Sequence, residues 1–165
     1  MRSKEFQILG RNSEADNEAL MQPSSVSSNH LLLDLSTELL GRGKRVRFRA
    51  PGRSMYPTIR ENEAITVEPV APQDVKVGDI ILYRSGNSVV AHRVIQTERG
   101  NRNTLRFILR EDTWGTLDEP VEAEQILGKV VSVERAGRNI DPYSTRAKLR
   151  LLIHTIGSRL KRCIS

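Results

Sequence analysis

Between Lys44 and Glu134 the chain is cut into short Val/Ile-rich runs, at 45–50, 64–68, 79–84, 88–95, 104–109 and 126–134, with Gly, Pro, Asn or Asp between them. Runs this short, rich in β-branched residues and separated by turn formers, make strands that must pair with one another to bury an apolar face. The spacing predicts a mainly β fold, with coiled antiparallel sheets forming a partial barrel. Ser85-Gly86-Asn87-Ser88 reads as a hairpin turn joining 80–83 to 89–92, and Gly100-Asn101-Arg102-Asn103 reads as a second. With only 4% aromatic residues, the core of such a fold rests on Val, Ile and Leu.

The flanks follow other rules. Residues 1–30 are polar, show no periodicity and end in Pro23-Ser24-Ser25-Val26-Ser27-Ser28-Asn29, which predicts a disordered tail. Leu31, Leu32, Leu35, Leu39 and Leu40 recur at helical spacing, so a lead-in helix is expected over 31–43, with Asn29 as its N-cap and Gly41 as its stop. After the β region at 44–134, residues 135–165 read as a linker and a terminal helix, entered through Asp141 as cap and Pro142 at the first helical position. In that helix apolar residues at 149, 152, 153, 156 and 160 form one stripe, and Arg146, Lys148, Arg150, Arg159, Lys161 and Arg162 occur without an acid. Such a helix either packs its stripe on the sheet or lies on an anionic membrane surface through residues 143–165.

A chain of 165 residues accommodates one domain with short extensions, not two enzyme domains. The formal net charge of +6 draws the protein toward phosphate-bearing partners in general. Residues 1–43 are too few and too polar for a helix-turn-helix domain, so no specific nucleic-acid partner is expected. The single cysteine, Cys163, excludes an internal disulfide and a cysteine-cluster metal site, and no cofactor is expected. No apolar run approaches the roughly 20 residues that span a bilayer, and the N-terminus lacks the apolar stretch of a secretory signal. A cytoplasmic protein, or one peripheral at a membrane, is the expectation.

Chemistry concentrates at two places. Gly52-Arg53-Ser54-Met55-Tyr56-Pro57-Thr58-Ile59 puts a serine on a turn entered through glycine, and Val90, His92 and Val94 share one strand face. A serine hydroxyl is a weak nucleophile near neutral pH; it needs a base within hydrogen-bond reach and donors for the oxyanion formed on attack. Gly52 is expected to permit a backbone conformation closed to other residues, letting amides around Ser54 and Met55 converge on one point. His92 fits the role of base better than His30, which closes the polar tail, or His154, which lies in the basic helix. A carboxylate completes such a site by orienting the imidazole, and Asp112 and Asp118 are both available in the loop after 104–109. A loop serine, a structural histidine and a solvated acidic turn are the plain alternative.

Taken together, the segments resemble the signal peptidase I superfamily of serine endopeptidases over about residues 44–134. Gly52 to Ile59 looks like the family's nucleophile box, and Val77-Gly78-Asp79-Ile80-Ile81-Leu82-Tyr83 like its Gly-Asp strand. Val90-Ala91-His92-Arg93-Val94-Ile95 looks like its base box, and Asp112 to Asp118 with Ile126-Leu127-Gly128-Lys129-Val130 like its closing segment. Where the family carries an acidic Gly-Asp pair after the nucleophile, this chain has Glu61-Asn62-Glu63. Typical bacterial members, and the related LexA-like self-cleaving repressors, have lysine at the base position. Histidine there is similar to the branch found in the endoplasmic reticulum, archaea and spore-forming bacteria. The resemblance implies a signal peptidase-like fold, Ser54 as nucleophile, His92 as base, Asp112 or Asp118 as the orienting acid, and a peptide or protein precursor as substrate.

Two other readings compete. A sheet that kept the fold without the chemistry would bind peptides or a partner protein by strand addition. A self-cleaving LexA-like regulator is disfavoured, because Ala136-Gly137, the only Ala-Gly pair, follows the β region instead of preceding it.

Overall fold

The computed structural model of the protein describes residues 25–100 and 104–163, with side chains over 31–100 and 104–158. Among these residues eight strands pair antiparallel in one sheet: β1 (Val46–Arg49), β2 (Ala64–Glu68), β3 (Ile80–Ser85), β4 (Ser88–Arg99), β5 (Leu105–Arg110), β6 (Val121–Glu122), β7 (Ile126–Arg135) and β8 (Arg138–Ile140). Across the sheet the order is β1-β2-β7-β3-β4-β5-β6, with β8 on β7. The late strand β7 is thus inserted near the middle, and β1 and β6 are the two ends of a sheet that does not close.

Local sequence explains the turns. At the β3–β4 hairpin Ser85 faces Ser88 and Gly86 takes a φ of 57°, the left-handed conformation that a two-residue turn asks of its first central position. The second predicted turn falls largely on residues outside those described, yet Arg99 faces Leu105 and the Gly100 amide donates to Thr104 O at 2.8 Å, so β4 and β5 do form a hairpin. Strands β6 and β8 were not expected: two and three residues are too few to show a period. Ala136 and Gly137, at φ 50° and 72°, are the central residues of the β7–β8 turn, with Arg135 opposite Arg138.

Alternation along the central strands sends side chains into two cores. Ile80 and Leu82 join Phe48, Ile65, Val67 and Val130 on one face, and Ile81 and Tyr83 join Val94, Phe107 and Leu109 on the other. Full burial of each such side chain stabilises the fold by about 1.5–3 kcal/mol. The first core is covered by helix α1 (Ser25–Gly41) through Leu32, Leu33 and Leu40.

Helix α1 differs from expectation in three ways. Residues 25–30 are helical, so Asn29 is not its cap, and the rest of the expected tail, 1–24, lies outside the described residues. The buried face runs through Leu32, Leu33, Ser36 and Leu40, leaving Leu31 and Leu39 exposed; leucines on so much of the circumference do not reveal which side meets the sheet. The chain turns at Gly43 instead of Gly41: φ is 75°, the Gly43 amide donates to Leu40 O at 3.0 Å, and the Lys44 amide donates to Leu39 O at 2.9 Å. That pair of bonds is the glycine-terminated cap that satisfies the last carbonyls of a helix.

Helix α2 (Thr145–Cys163), by contrast, starts later than predicted. Ser144, not Asp141, caps it, with Oγ accepting from the Ala147 amide at 3.3 Å. Residues 141–144 form a turn instead, because Tyr143 reaches into the sheet: its hydroxyl accepts from the Ile80 amide at 3.1 Å and donates to Val130 O at 2.5 Å, joining β3 to β7.

Gly128 lies where β7 passes between β2 and β3, and an added Cβ would sit 2.5 Å from Glu68 O and 2.7 Å from Val67 Cγ1. Because the first of these is backbone, Gly128→Ala is expected to destabilise the fold by about 1–3 kcal/mol or more, read as a lower urea midpoint. An unchanged midpoint would mean that β7 does not run this close to β2.

Candidate active site

Ser54 sits in a run of turns between β1 and β2. The Asn62 amide closes the base of this run on Ala50 O at 2.6 Å, with Asn62 itself at φ 63°, a conformation asparagine tolerates better than most residues. Met55 and Ile59 are buried in the first core, which roots the turn, and the Tyr56–Pro57 peptide is cis. The Tyr56 and Ile59 amides are used inside the turn, on Arg53 O and Met55 O. Those of Ser54 and Met55 donate to no backbone carbonyl among the described residues.

Gly52 does not play the part expected of it. Its φ lies outside the left-handed region, and an added Cβ would meet nothing within 4 Å. It lines an apolar cleft beside Ser54, whose other walls include Phe48, Ala50, Met55, Leu82, Val89 and Ala91. A small side chain at 52 would therefore meet open space.

His92 is buried on β4, opposite Ile81, with its ring 6.3 Å from that of Tyr83. Its Nε2 is 3.1 Å from Ser54 Oγ and its Nδ1 is 2.6 Å from Asp118 Oδ2. An ionised carboxylate only accepts, so the ring proton in that contact rides on Nδ1 and Nε2 is left to accept from the serine hydroxyl. Burial, and then the charge of Asp118, push the Tyr83 phenol well above its ordinary pKa.

Asp112, the other aspartate of the loop, is not on the histidine. Its Oδ2 accepts from Thr58 Oγ1 at 2.6 Å and from Arg93 Nη2 at 2.7 Å, and its Oδ1 accepts from Arg93 Nε at 2.8 Å. The correction follows from strand geometry. His92 and Arg93 are neighbours on β4 and point to opposite sides, so each takes one end of the loop. The loop doubles back on β5: Arg110 bridges to Leu117, the Glu111 amide donates to Thr116 O, and the Asp118 amide donates to Leu109 O at 3.0 Å. Gly115 turns the tip at φ 72°.

Several residues of the site escaped the sequence. Thr113 donates its amide to Ser54 O at 3.0 Å and its hydroxyl to Arg53 O, fastening the loop to the serine turn. Arg93 donates further to Gly78 O at 2.8 Å. Arg135 reaches from β7 to Thr58 O at 3.2 Å while holding Glu63. Burial opposes the charge on Glu63, but the bonds from Arg135 and the Arg60 amide outweigh it and keep the carboxyl below its usual range. Only Arg93 carried a signal, its place beside His92 on a strand.

The Asp112 side chain is 1% exposed and that of Arg93 12%, so removing one partner strands a buried charge. Asp112→Ala is expected to cost about 3–5 kcal/mol in denaturant unfolding, and Asp118→Ala markedly less. Equal losses would contradict the division of labour between the two. Tyr83 keeps its proton in the folded protein at pH values where the unfolded chain gives it up. Stability is therefore expected to fall as pH rises past the ordinary phenol value of about 10, and Tyr83→Phe to flatten that fall. Identical pH profiles for the two proteins would dismiss the buried phenol as a contributor. No protein-family model matches the chain, and no curated protein matches it.

Proposed function

We propose that the protein is a serine endopeptidase of the signal peptidase type, in its Ser/His branch, acting on an extended peptide or protein precursor. The observation that carries this reading is the chain of contacts from Ser54 Oγ to His92 Nε2 at 3.1 Å and from His92 Nδ1 to Asp118 Oδ2 at 2.6 Å. A serine, a neutral imidazole nitrogen facing it and an acceptor behind the ring are the parts that acyl transfer needs.

In this reading Ser54 Oγ attacks the scissile carbonyl as its proton passes to His92 Nε2. Asp118 stabilises the imidazolium and holds the ring, and the Ser54 and Met55 amides are the nearest candidates for oxyanion donors. The tetrahedral intermediate collapses to an acyl-enzyme as the imidazolium protonates the leaving amine. Water, giving its proton to the same nitrogen, then adds to the ester, and as the bond to Ser54 Oγ breaks the imidazolium returns that proton to Oγ, releasing the acid and restoring the serine hydroxyl.

Small side chains near the cut are what the resemblance implies, and the apolar cleft beside Ser54, walled by Phe48, Ala50, Met55, Leu82, Val89 and Ala91, supports a substrate that is apolar there. Pairing of β4 with β5 runs from Arg93 to Arg99, while 88–91 of β4 border the cleft. That stretch supports strand addition by an extended peptide.

The test uses purified protein and a pool of extended synthetic peptides with small apolar residues, with products read by mass spectrometry. Ser54→Ala and His92→Ala are each expected to lower the cleavage rate by roughly 10³-fold or more. Unchanged cleavage in both variants would refute the assignment, and peptide binding without product in wild type and Ser54→Ala alike would identify a binding sheet.

A further inference from the structure

The outward face of α2 is apolar, although the helix packs on the body with its other side. Ala147, Leu151, His154, Thr155 and Ser158 are at least partly covered, and the His154 ring meets that of Tyr56 edge-on at 5.3 Å. Leu149, Leu152, Ile153 and Ile156 are each more than half exposed. At 3.6 residues per turn these four fall within about 100° of arc, directly away from the body. They make a continuous ridge.

Charge decides what the ridge meets. Arg146 and Arg150 lie on one flank, where with Arg138 they line a cleft between α2 and the β7–β8 hairpin, and Lys148 lies on the other flank. The sequence of α2 contains no acid. A second copy docking ridge to ridge would bring these cations together, and an uncharged apolar partner would leave them without counter-charge. A bilayer with anionic headgroups satisfies both features, since acyl chains take the ridge and phosphates meet the arginines beside it. No helix among the described residues is long and apolar enough to cross a membrane.

We infer that α2 docks the protein on an anionic membrane surface, with Leu149, Leu152, Ile153 and Ile156 in the acyl boundary and Arg138, Arg146 and Arg150 at the headgroups. Since His154 packs on Tyr56, two residues beyond Ser54, a docked helix holds the serine turn close to the bilayer. The inference does not depend on chemistry at Ser54.

The test is co-sedimentation of the full chain with vesicles of phosphatidylcholine alone or mixed equally with phosphatidylserine. Wild type is expected to sediment with the mixed vesicles only, and less so as salt is raised. The double variant Leu152→Ser/Ile153→Ser, altered only at exposed positions, is expected to bind about tenfold more weakly or worse. Arg146→Gln/Arg150→Gln is expected to lose the preference for phosphatidylserine. Wild type left in the supernatant with both vesicles, or equal sedimentation by wild type and the Leu152/Ile153 variant, would overturn the inference. So would lipid-free self-association abolished by that variant, which would assign the ridge to a second copy.

Discussion

The site depends on the buried pair between Arg93 and Asp112. The guanidinium holds both carboxylate oxygens, Thr58 Oγ1 donates to one of them, and Gly78 O accepts the remaining reach of the arginine. One charge pair thus gathers β4, the serine turn, the start of β3 and the loop after β5. A pair so enclosed contributes little net stability when intact, but it fixes which groups are adjacent, because every alternative arrangement leaves an ion without a partner. The other end of the same loop then has no freedom to choose: with Asp118 tied by its amide to Leu109 O, its carboxylate meets the ring of His92.

Two consecutive residues of one strand therefore organise everything around Ser54. Alternation points His92 and Arg93 to opposite faces, and two aspartates six positions apart on a folded-back loop clasp the strand from both sides. The strand can carry this polar load because its neighbours are apolar on both faces, with Leu82 in one core and Ile81 in the other. Thr113 adds the last constraint by bonding backbone of the serine turn directly.

Much of this architecture is legible in the sequence where a period or a turn residue carries it. The Val/Ile-rich runs became strands β1 to β5 and β7, and the split of Val90 and Val94 from Val89 and Ala91 follows from simple alternation. The stripe on α2 was legible too, though not that it faces outward. Other features had no local signal. Asp112 and Asp118 are equivalent as letters, and only the tertiary neighbourhood of Arg93 and Thr58 separates them. Short strands such as β6 take their shape from partners, Val121 opposite Phe107, instead of from any pattern of their own. A glycine before a functional serine suggests a special backbone conformation, whereas Gly52 lies outside the left-handed region and borders an apolar cleft. At the start of α2 a good Asp-Pro signal is overridden by the bonds of Tyr143 to the sheet.

Asp118, not Asp112, holds the histidine so that its far nitrogen faces the serine. Nitrogen-15 spectra of histidine-labelled protein, with His92 assigned by substitution and recorded where the ring is neutral, test it directly. A ring protonated at Nδ1 is expected in wild type, with that tautomer lost in Asp118→Ala. A neutral His92 carrying its proton on Nε2, or one indifferent to loss of Asp118, would contradict it.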